Sequence, residues 1–197
     1  MNATPTNATA WFVTHPAVVI DPAVPVTEWP LTQAGRARVQ AALALPWTQG
    51  LAAIWSSTER KAIDAAAILA AGMGLDFTTL AALGENDRSA TGYLPRDEFE
   101  ATADLFFANP HQSIYGWERA VDAQRRIVGA VETVLATSPA GDIAIVAHGG
   151  VGALLMAALE DLPISRVHDQ PAGSGGNMFA FDRGTRLLRH GWQPIDC

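Results

Sequence analysis

The sequence predicts an α/β fold, a three-layer αβα sandwich around a mainly parallel central sheet, and two observations lead to this prediction. Short apolar runs rich in β-branched residues alternate with longer Ala-rich runs along most of the chain, as strands alternate with helices in such folds. The 197 residues are 49% hydrophobic and only 17% charged, which is enough apolar material for one sizeable core. We therefore expect a single domain over residues 1–197.

The first half of the chain is expected to supply three strands and two helices. The predicted strands are the short apolar runs at 11–15, 51–57 and 76–83. The first helix is capped by Thr32 and ends near Pro46. The second helix covers 58–74, with Gly72 and Gly74 as its stop signal.

The second half of the chain interrupts this alternation and then completes it. The segment that follows the third strand mixes charge, Gly, Pro and aromatic residues. We expect an excursion that caps the sheet at about 86–116, with a short helix near 96–108. The remaining predicted elements are a long amphipathic helix at 117–139, a strand at 142–148, a helix at 149–160 and a hairpin of strands at 177–182 and 185–192.

Composition excludes several classes of partner. The formal net charge of −7 and the absence of a basic stripe disfavour binding to nucleic acid or to anionic membranes. Cys197 is the only cysteine, so no internal disulfide can form, as is usual in a reducing compartment. The first ten residues do not resemble a signal peptide, and no run of 18 apolar residues occurs. We expect a cytoplasmic protein.

Two of the predicted strands end on a histidine, His15 and His148. Ligand sites of open α/β sheets form beyond the carboxyl ends of the strands. His148 is followed by Gly149, Gly150 and at once by a predicted helix. The backbone N–H groups of such a turn and the N-terminus of the helix form a seat for an anion. The sequence therefore predicts an anion site at this edge of the sheet.

Several segments, in the order in which they occur, resemble the histidine phosphatase superfamily, also called the phosphoglycerate mutase-like family. The segments that carry this resemblance are FVTHP, WPLTQAGRARVQAAL, IWSSTERKAIDAAAIL, LGENDRSATG, GWERAVDAQRRI and IAIVAHGGVGALL. The last of these is the most specific. The family's Arg-His-Gly triplet also occurs at Arg189-His190-Gly191, but no phosphate-binding turn follows it, so we interpret it as a coincidence.

The resemblance implies a phosphoglycerate mutase-like sandwich and a set of catalytic roles. His15 would attack phosphorus and become a phosphohistidine. His148 would bind the phosphate as the second histidine, with the backbone at Gly149 beside it. Glu85 would protonate the leaving oxygen and then assist water. No cofactor is implied, and no His/Asp/Glu cluster has the spacing of metal ligands.

The chain departs from the family where the two phosphate-binding arginines are expected. Thr14 stands in place of the first arginine and can offer a hydroxyl but no charge. Lys61 stands in place of the second, as a point charge rather than a planar fork. The adjacent Arg60 is the alternative, although it points about 100° away on a helix. Pro16 replaces the glycine that follows the nucleophile and has no N–H to donate.

Arg88, three residues after Glu85, is the candidate that would replace the missing arginines. The other interpretation of Arg88 is a surface side chain paired with Asp87 or Glu85. The predicted phosphate ligands are therefore Thr14, Lys61, Arg88 and Gly149.

Three functions fit these residues. The first is a metal-independent phosphatase that acts on a small phosphorylated substrate through phospho-His15. The second is a member of the family that binds or senses a phosphorylated ligand and has lost turnover, which the Thr14 and Lys61 departures favour. The third is a mutase, which the short excursion disfavours. Aromatic residues of the excursion predict a partly apolar leaving group; they are Tyr93, Phe99, Phe106, Phe107 and Tyr115.

Overall fold

The computed structural model describes residues 8–173 and 175–197 and has the predicted α/β architecture. In these residues six strands form a sheet in the order β3-β2-β4-β1-β5-β6. The strands are β1 (Thr9–Thr14), β2 (Leu51–Ser56), β3 (Phe77–Thr79), β4 (Asp142–Ala147), β5 (Asn177–Asp182) and β6 (Leu188–Pro194). The first four are mutually parallel, and the terminal hairpin adds β5 and β6 antiparallel at one edge. The sheet is therefore mainly parallel, as the alternation predicts.

Five helices cover the two faces of the sheet and complete the three layers. They are α1 (Gln33–Ala42), α2 (Arg60–Met73), α3 (Arg96–Ala108), α4 (Ala120–Thr137) and α5 (Gly149–Leu159). Side chains of α1 and α2, such as Val39 and Leu69, bury one face. Side chains of α3, α4 and α5 bury the other, with Phe106, Ile127 and Leu154 packed around the central strands. No helix in the described part of the chain is long and apolar enough to cross a membrane.

The predicted helix boundaries are largely confirmed, with one correction. The Thr32 hydroxyl accepts a hydrogen bond from the Gly35 N–H at 2.9 Å and so caps α1. Gly74 adopts a left-handed conformation, with φ of 66°, and ends α2. Gly72 lies inside α2 and is not a stop. A Cβ at Gly72 would lie 2.5 Å from the Leu43 side chain, so this glycine allows the close approach of α2 to the end of α1.

The third strand is shorter than the predicted 76–83. It pairs only with β2, through the partners of Ile54, Trp55 and Ser56, and β2 ends at Ser56. Because the ladder has no partner beyond that point, the chain turns into a short 3-10 helix at Ala81–Leu83, which buries Leu83 completely. The second hairpin strand likewise begins at 188 rather than 185.

The strand order brings the two strand-end histidines together. β1 and β4 are adjacent and parallel, with Thr14 opposite Ala147. The next residue on each strand is therefore His15 or His148, and the His15 N–H donates to the Ala147 carbonyl at 3.2 Å. Parallel strands present their carboxyl ends on the same side of a sheet, so both imidazoles lie at one edge.

Candidate active site

The two imidazoles form the centre of the candidate site. Their ring centroids are 5.2 Å apart and the rings meet edge to face, with an angle of 65° between their planes. His148 is completely buried, whereas His15 keeps part of its surface open and lines a cleft. A ligand in the cleft can therefore reach the His15 ring, with the His148 ring directly beside it.

The hydrogen bond of His15 determines which of its nitrogens is free. Nδ1 lies 2.9 Å from the Pro16 carbonyl, which can only accept, so in the neutral ring Nδ1 carries the proton. Burial, together with the nearby Lys61 ammonium, lowers the pKa of His15 to about 4. At neutral pH the ring is therefore uncharged, and its lone pair is on Nε2, which is the form that a nucleophile requires.

His148 is held from the side of β2 and α2. Its Nε2 lies 2.7 Å from the Ser57 hydroxyl and 3.3 Å from Oε1 of Glu59. Burial lowers the pKa of His148 well below its usual value, although the Glu59 carboxylate opposes this. Within the described part of the chain, Nδ1 of His148 has no hydrogen-bond partner. A buried ring nitrogen without a partner is unusual in proteins. His148 itself does not line the cleft, so only a ligand atom that reaches past His15 could bond to this nitrogen.

Glu59 and Lys61 form a buried ion pair next to His148. Oε2 of Glu59 lies 2.5 Å from the Lys61 ammonium, which also donates to the Val26 carbonyl at 2.8 Å. Burial alone would raise the pKa of Glu59, but the nearby His148 and Lys61 lower it to about 2, so the carboxyl is ionised. Lys61 does not line the cleft. A direct contact between Lys61 and a phosphate would have to replace one of these bonds.

Glu85 lies at the N-terminus of α5. Its carboxyl oxygens accept from the Gly150 N–H at 3.1 Å and from the Val151 N–H at 3.0 Å, so Glu85 occupies part of the helix end predicted to seat the anion. Burial raises the pKa of Glu85, and the Glu59 charge adds to this, while the Arg88 guanidinium opposes it. A carboxyl with a raised pKa that lines the cleft is suited to donate a proton.

Arg88 lies in the cleft rather than in a surface pair. Its guanidinium carbon is 4.8 Å from the centre of the Phe99 ring, a cation–π contact. Among the described residues no carboxylate lies within ion-pair distance of Arg88, so its charge is available to a ligand. Arg60, the alternative to Lys61, instead pairs with Asp64 at 3.0 Å and does not line the cleft.

Thr14 is buried, and its hydroxyl is already engaged. It lies 2.8 Å from Oε1 of Gln170 and accepts from the Asn177 N–H at 3.0 Å. The Asn177 side-chain amide donates to the same Gln170 oxygen at 3.0 Å. These bonds orient Gln170 so that its Nε2 lies beside Gly149, where a Cβ would approach it to 2.3 Å. A contact between Thr14 and phosphate would require its bond to Gln170 to break.

Sequence reasoning missed Glu59 and Gln170. Glu59 has a partial signal, since it is a carboxylate between Ser57 and the predicted cation Lys61, at the start of a helix. Gln170 belongs to a loop without a recognisable motif, and only the folded chain brings its amide to Gly149.

The cleft has a volume of about 670 Å³, much larger than a phosphate group. His15, Glu85, Arg88, Gly149 and Gln170 line it. The aromatic residues of its walls are Trp29, Tyr93, Phe99, Phe106, Phe107 and Trp117. Tyr115, expected at the mouth of the pocket, is instead 66% exposed and does not line the cleft. Residues 8–173 and 175–197 contain no group of three or more His, Cys, Asp or Glu side chains that could hold a metal ion.

Comparison with known families identifies the family of the chain. Residues 23–182 match the family described as the histidine phosphatase superfamily (branch 1). The chain therefore belongs to the histidine phosphatase superfamily, which supports a function of the phosphatase or mutase type. The matched range includes Glu85 and His148 but begins after His15. A search of curated proteins finds no match.

Solved structures show the same fold. A mycobacterial glucosyl-3-phosphoglycerate phosphatase in complex with inorganic phosphate is 22% identical, with a TM-score of 0.74 over 96% of this chain and 99% of that one. YhfR of Bacillus stearothermophilus is 24% identical, with a TM-score of 0.71 over 93% of this chain and 94% of that one. These likenesses establish the phosphoglycerate mutase-like sandwich.

Proposed function

We propose that the protein is a metal-independent phosphatase that hydrolyses a phosphomonoester through a phosphohistidine on His15. The observation that carries the proposal is the pair of facing imidazoles, 5.2 Å apart, in which the Pro16 carbonyl leaves the lone pair of His15 on Nε2. A neutral imidazole with a free lone pair can act as the nucleophile of covalent phosphoryl transfer, and a second imidazole beside it can bind a phosphoryl oxygen.

In the first step, Nε2 of His15 attacks phosphorus and the bond from phosphorus to the leaving oxygen breaks. The leaving oxygen takes its proton from the Glu85 carboxyl, whose pKa is raised by burial. In the second step, the Glu85 carboxylate accepts a proton from water as the water oxygen attacks phosphorus. The N–P bond breaks as the bond from the water oxygen to phosphorus forms, so that inorganic phosphate is released and neutral His15 is regenerated.

The phosphoryl oxygens need positive partners during both steps. Arg88 supplies an unpaired guanidinium in the cleft. The Gln170 amide and the backbone at Gly149 lie together on another wall of the cleft. The Lys61 ammonium does not line the cleft, but its charge lowers the pKa of the His15 ring. In this proposal Arg88 takes over much of the task of the missing family arginines.

A phosphate-binding protein without turnover is the second candidate. The observations that favour it are the pairing of Lys61 with Glu59 and of the Thr14 hydroxyl with Gln170, which leave fewer free phosphate ligands. A binder should be stabilised against heat by inorganic phosphate or vanadate and should form no phosphoenzyme.

The cleft walls support a leaving group with an apolar part. Trp29 and Tyr93 lie with ring centroids 5.7 Å apart, and the exposed Ile20 side chain lines the same cleft. We expect a higher kcat/KM for an aryl phosphate such as naphthyl phosphate than for 3-phosphoglycerate. The reverse preference would contradict this part of the proposal.

The direct test is phosphate release from a panel of phosphomonoesters by the wild type and His15→Ala. The wild type should turn over, and His15→Ala should lose about 10³-fold or more, because the nucleophile is gone. His190→Ala is the matched control, since it removes the histidine of the other Arg-His-Gly triplet, and it should keep its activity. Equal, slow release by the wild type and His15→Ala would overturn the proposal.

A further inference from the structure

Glu59 has no role in the steps above, yet it is the carboxylate closest to the second imidazole. We infer that Glu59 is the counter-ion that allows His148 to take up a proton when a phosphate group enters the site. Anion binding would then be coupled to protonation of His148. This inference deepens the proposed function, and it depends only on the anion site, not on turnover.

The geometry around His148 favours a change of protonation when an anion binds beside it. Oε1 of the ionised Glu59 carboxylate lies 3.3 Å from Nε2 and can only accept, so in the neutral ring it favours the proton on Nε2, shared with the Ser57 hydroxyl at 2.7 Å, and leaves a lone pair on Nδ1. That lone pair has no partner in the described part of the chain. It would repel a phosphate oxygen placed beside it, whereas a proton on Nδ1 would convert the repulsion into a charge-assisted hydrogen bond. A bound phosphate therefore favours the doubly protonated imidazolium.

The charges that face His148 explain why a counter-ion is needed. Lys61 and Arg88 are cationic and disfavour an imidazolium, as does a protonated His15. Glu85 lies over the first turn of α5 but must keep its own proton for the leaving oxygen. Glu59 is therefore the anion that can balance a charge on His148, at 3.3 Å from its Nε2.

Glu59 is held in place for this role. The Lys61 ammonium binds one of its oxygens, and the Glu85 N–H donates to the other at 2.8 Å. The residue is only 8% exposed, so water screens its charge poorly. Because both oxygens are tied, the carboxylate cannot rotate away from the ring. A protonated His148 would then supply, on binding, a positive charge that the missing arginines do not provide.

Calorimetric titration with tungstate tests this coupling, because this tetrahedral dianion does not titrate near neutral pH. Proton uptake is obtained from the dependence of the binding heat on the ionisation enthalpy of the buffer. His15→Gln removes the other imidazole lone pair that can face the anion, so its uptake reports on His148 and should be about one proton per tungstate bound. In this His15→Gln background, His148→Gln should take up none, and Glu59→Gln should take up less than half as much as His15→Gln alone.

Two further variants control the experiment. Glu132→Gln removes a carboxylate of a surface pair with Arg186 and should match the wild type. If Glu59→Gln does not fold, Glu59→Asp withdraws the charge by one methylene and should give an intermediate uptake. In the His15→Gln background, uptake that either Glu59 variant leaves unchanged, or no uptake by His15→Gln itself, overturns the inference and leaves the phosphatase proposal standing. Failure of the wild type to bind tungstate contradicts both.

Discussion

At the scale of single residues, the chemistry depends on which groups around His15 carry charge. The Pro16 carbonyl fixes the proton of His15 on Nδ1, and burial together with Lys61 keeps the ring neutral. Arg88 lines the cleft, has no carboxylate partner among the described residues, and its charge acts on both histidines. The rate should therefore respond to changes at Arg88 more than to changes at other arginines of the cleft.

Arg88→Ala should lower kcat/KM by roughly 10²- to 10³-fold, the loss typical when one preorganised partner of the transition-state charge is removed. Arg88→Lys should recover only part of this loss, because an ammonium cannot form two parallel bonds to phosphate. Arg96→Ala is the matched control, as Arg96 is exposed at the cleft. Steady-state kinetics measure all three. Equal effects of Arg88→Ala and Arg96→Ala would refute the role of Arg88.

The pH dependence of kcat/KM should reflect His15 and Glu85. Activity should fall at low pH as His15 is protonated, with an apparent pKa of about 4. It should fall again at higher pH as Glu85 loses its proton, above the usual range of a glutamate because burial raises its pKa. The Glu85→Gln variant should lose the upper limb and keep the lower one. Both proteins are assayed on the same substrate, so the ionisation of the substrate phosphate, with a pKa of about 6, affects both profiles equally. An unchanged upper limb in Glu85→Gln would rule out Glu85 as the acid.

The positions of His15, His148 and Glu85 could be predicted, whereas the partners of the predicted phosphate ligands could not. The histidines follow strands, and an apolar run that ends on a polar residue is visible in a sequence. The bonds of Thr14 to Gln170 and of Lys61 to Glu59 depend on side-chain packing. Thr14 and Gln170 are 156 residues apart in the chain, so no local pattern links them.

At the scale of elements, the site is built by loops that rigid elements hold in place. β1 and β4 position the two histidines directly. Glu85 does not directly follow a strand; it lies in the loop after the 3-10 helix Ala81–Leu83, and Arg126 of α4 anchors this loop. The Arg126 guanidinium donates to the carbonyls of Ala82, Gly84 and Glu85 at 2.9, 2.8 and 3.1 Å. It also pairs with Glu118 at 2.7 Å.

Arg126→Ala should therefore lower both stability and rate. We expect a loss of roughly 2–3 kcal/mol in the free energy of unfolding, because several carbonyls and one carboxylate lose a charged donor. The neighbouring Arg125, whose side chain is 77% exposed, is the matched control, and Arg125→Ala should change stability by less than about 0.5 kcal/mol. Denaturant unfolding and kcat measure the two effects. Loss of stability with an unchanged kcat would show that the anchor does not position Glu85.

The correction to the third strand also belongs to this scale. The sequence of 76–83 predicts one continuous strand, but strand length is set by the neighbouring strand, which ends at Ser56. Likewise, Gly72 is visible as a glycine, but its contact with Leu43 is not. Element type was predictable here because it depends on local periodicity, whereas boundaries depend on what lies across the sheet.

At the scale of the whole molecule, the two histidines of the site link stability to pH. Burial lowers the pKa of both His15 and His148 below the value of an unfolded histidine. The stabilisation is fully present above the unfolded pKa of about 6.5 and is lost as the pH falls towards the folded pKa, because the unfolded state binds more protons. Stability depends on pH in this way because folding removes much of the water around both imidazoles.

The free energy of unfolding of the wild type should fall as the pH is lowered from about 6.5 to 5. In this range His15 contributes up to about 1.4 kcal/mol per pH unit. His15→Gln should have a shallower slope, since its side chain does not titrate. Urea unfolding at several pH values measures the slopes, and His190→Gln provides the control. If the free energy of unfolding of the wild type and of His15→Gln had equal slopes against pH, the lowered pKa of His15 would be contradicted.

The central claim is that His15 carries the phosphoryl group during turnover. The most direct measurement is to quench the enzyme with base during hydrolysis of a phosphomonoester and to locate acid-labile phosphate by mass spectrometry of the peptides. The account predicts phosphate on the peptide that contains His15, and none in His15→Ala. Phosphate on another residue, or substrate turnover without any phosphopeptide, would contradict it.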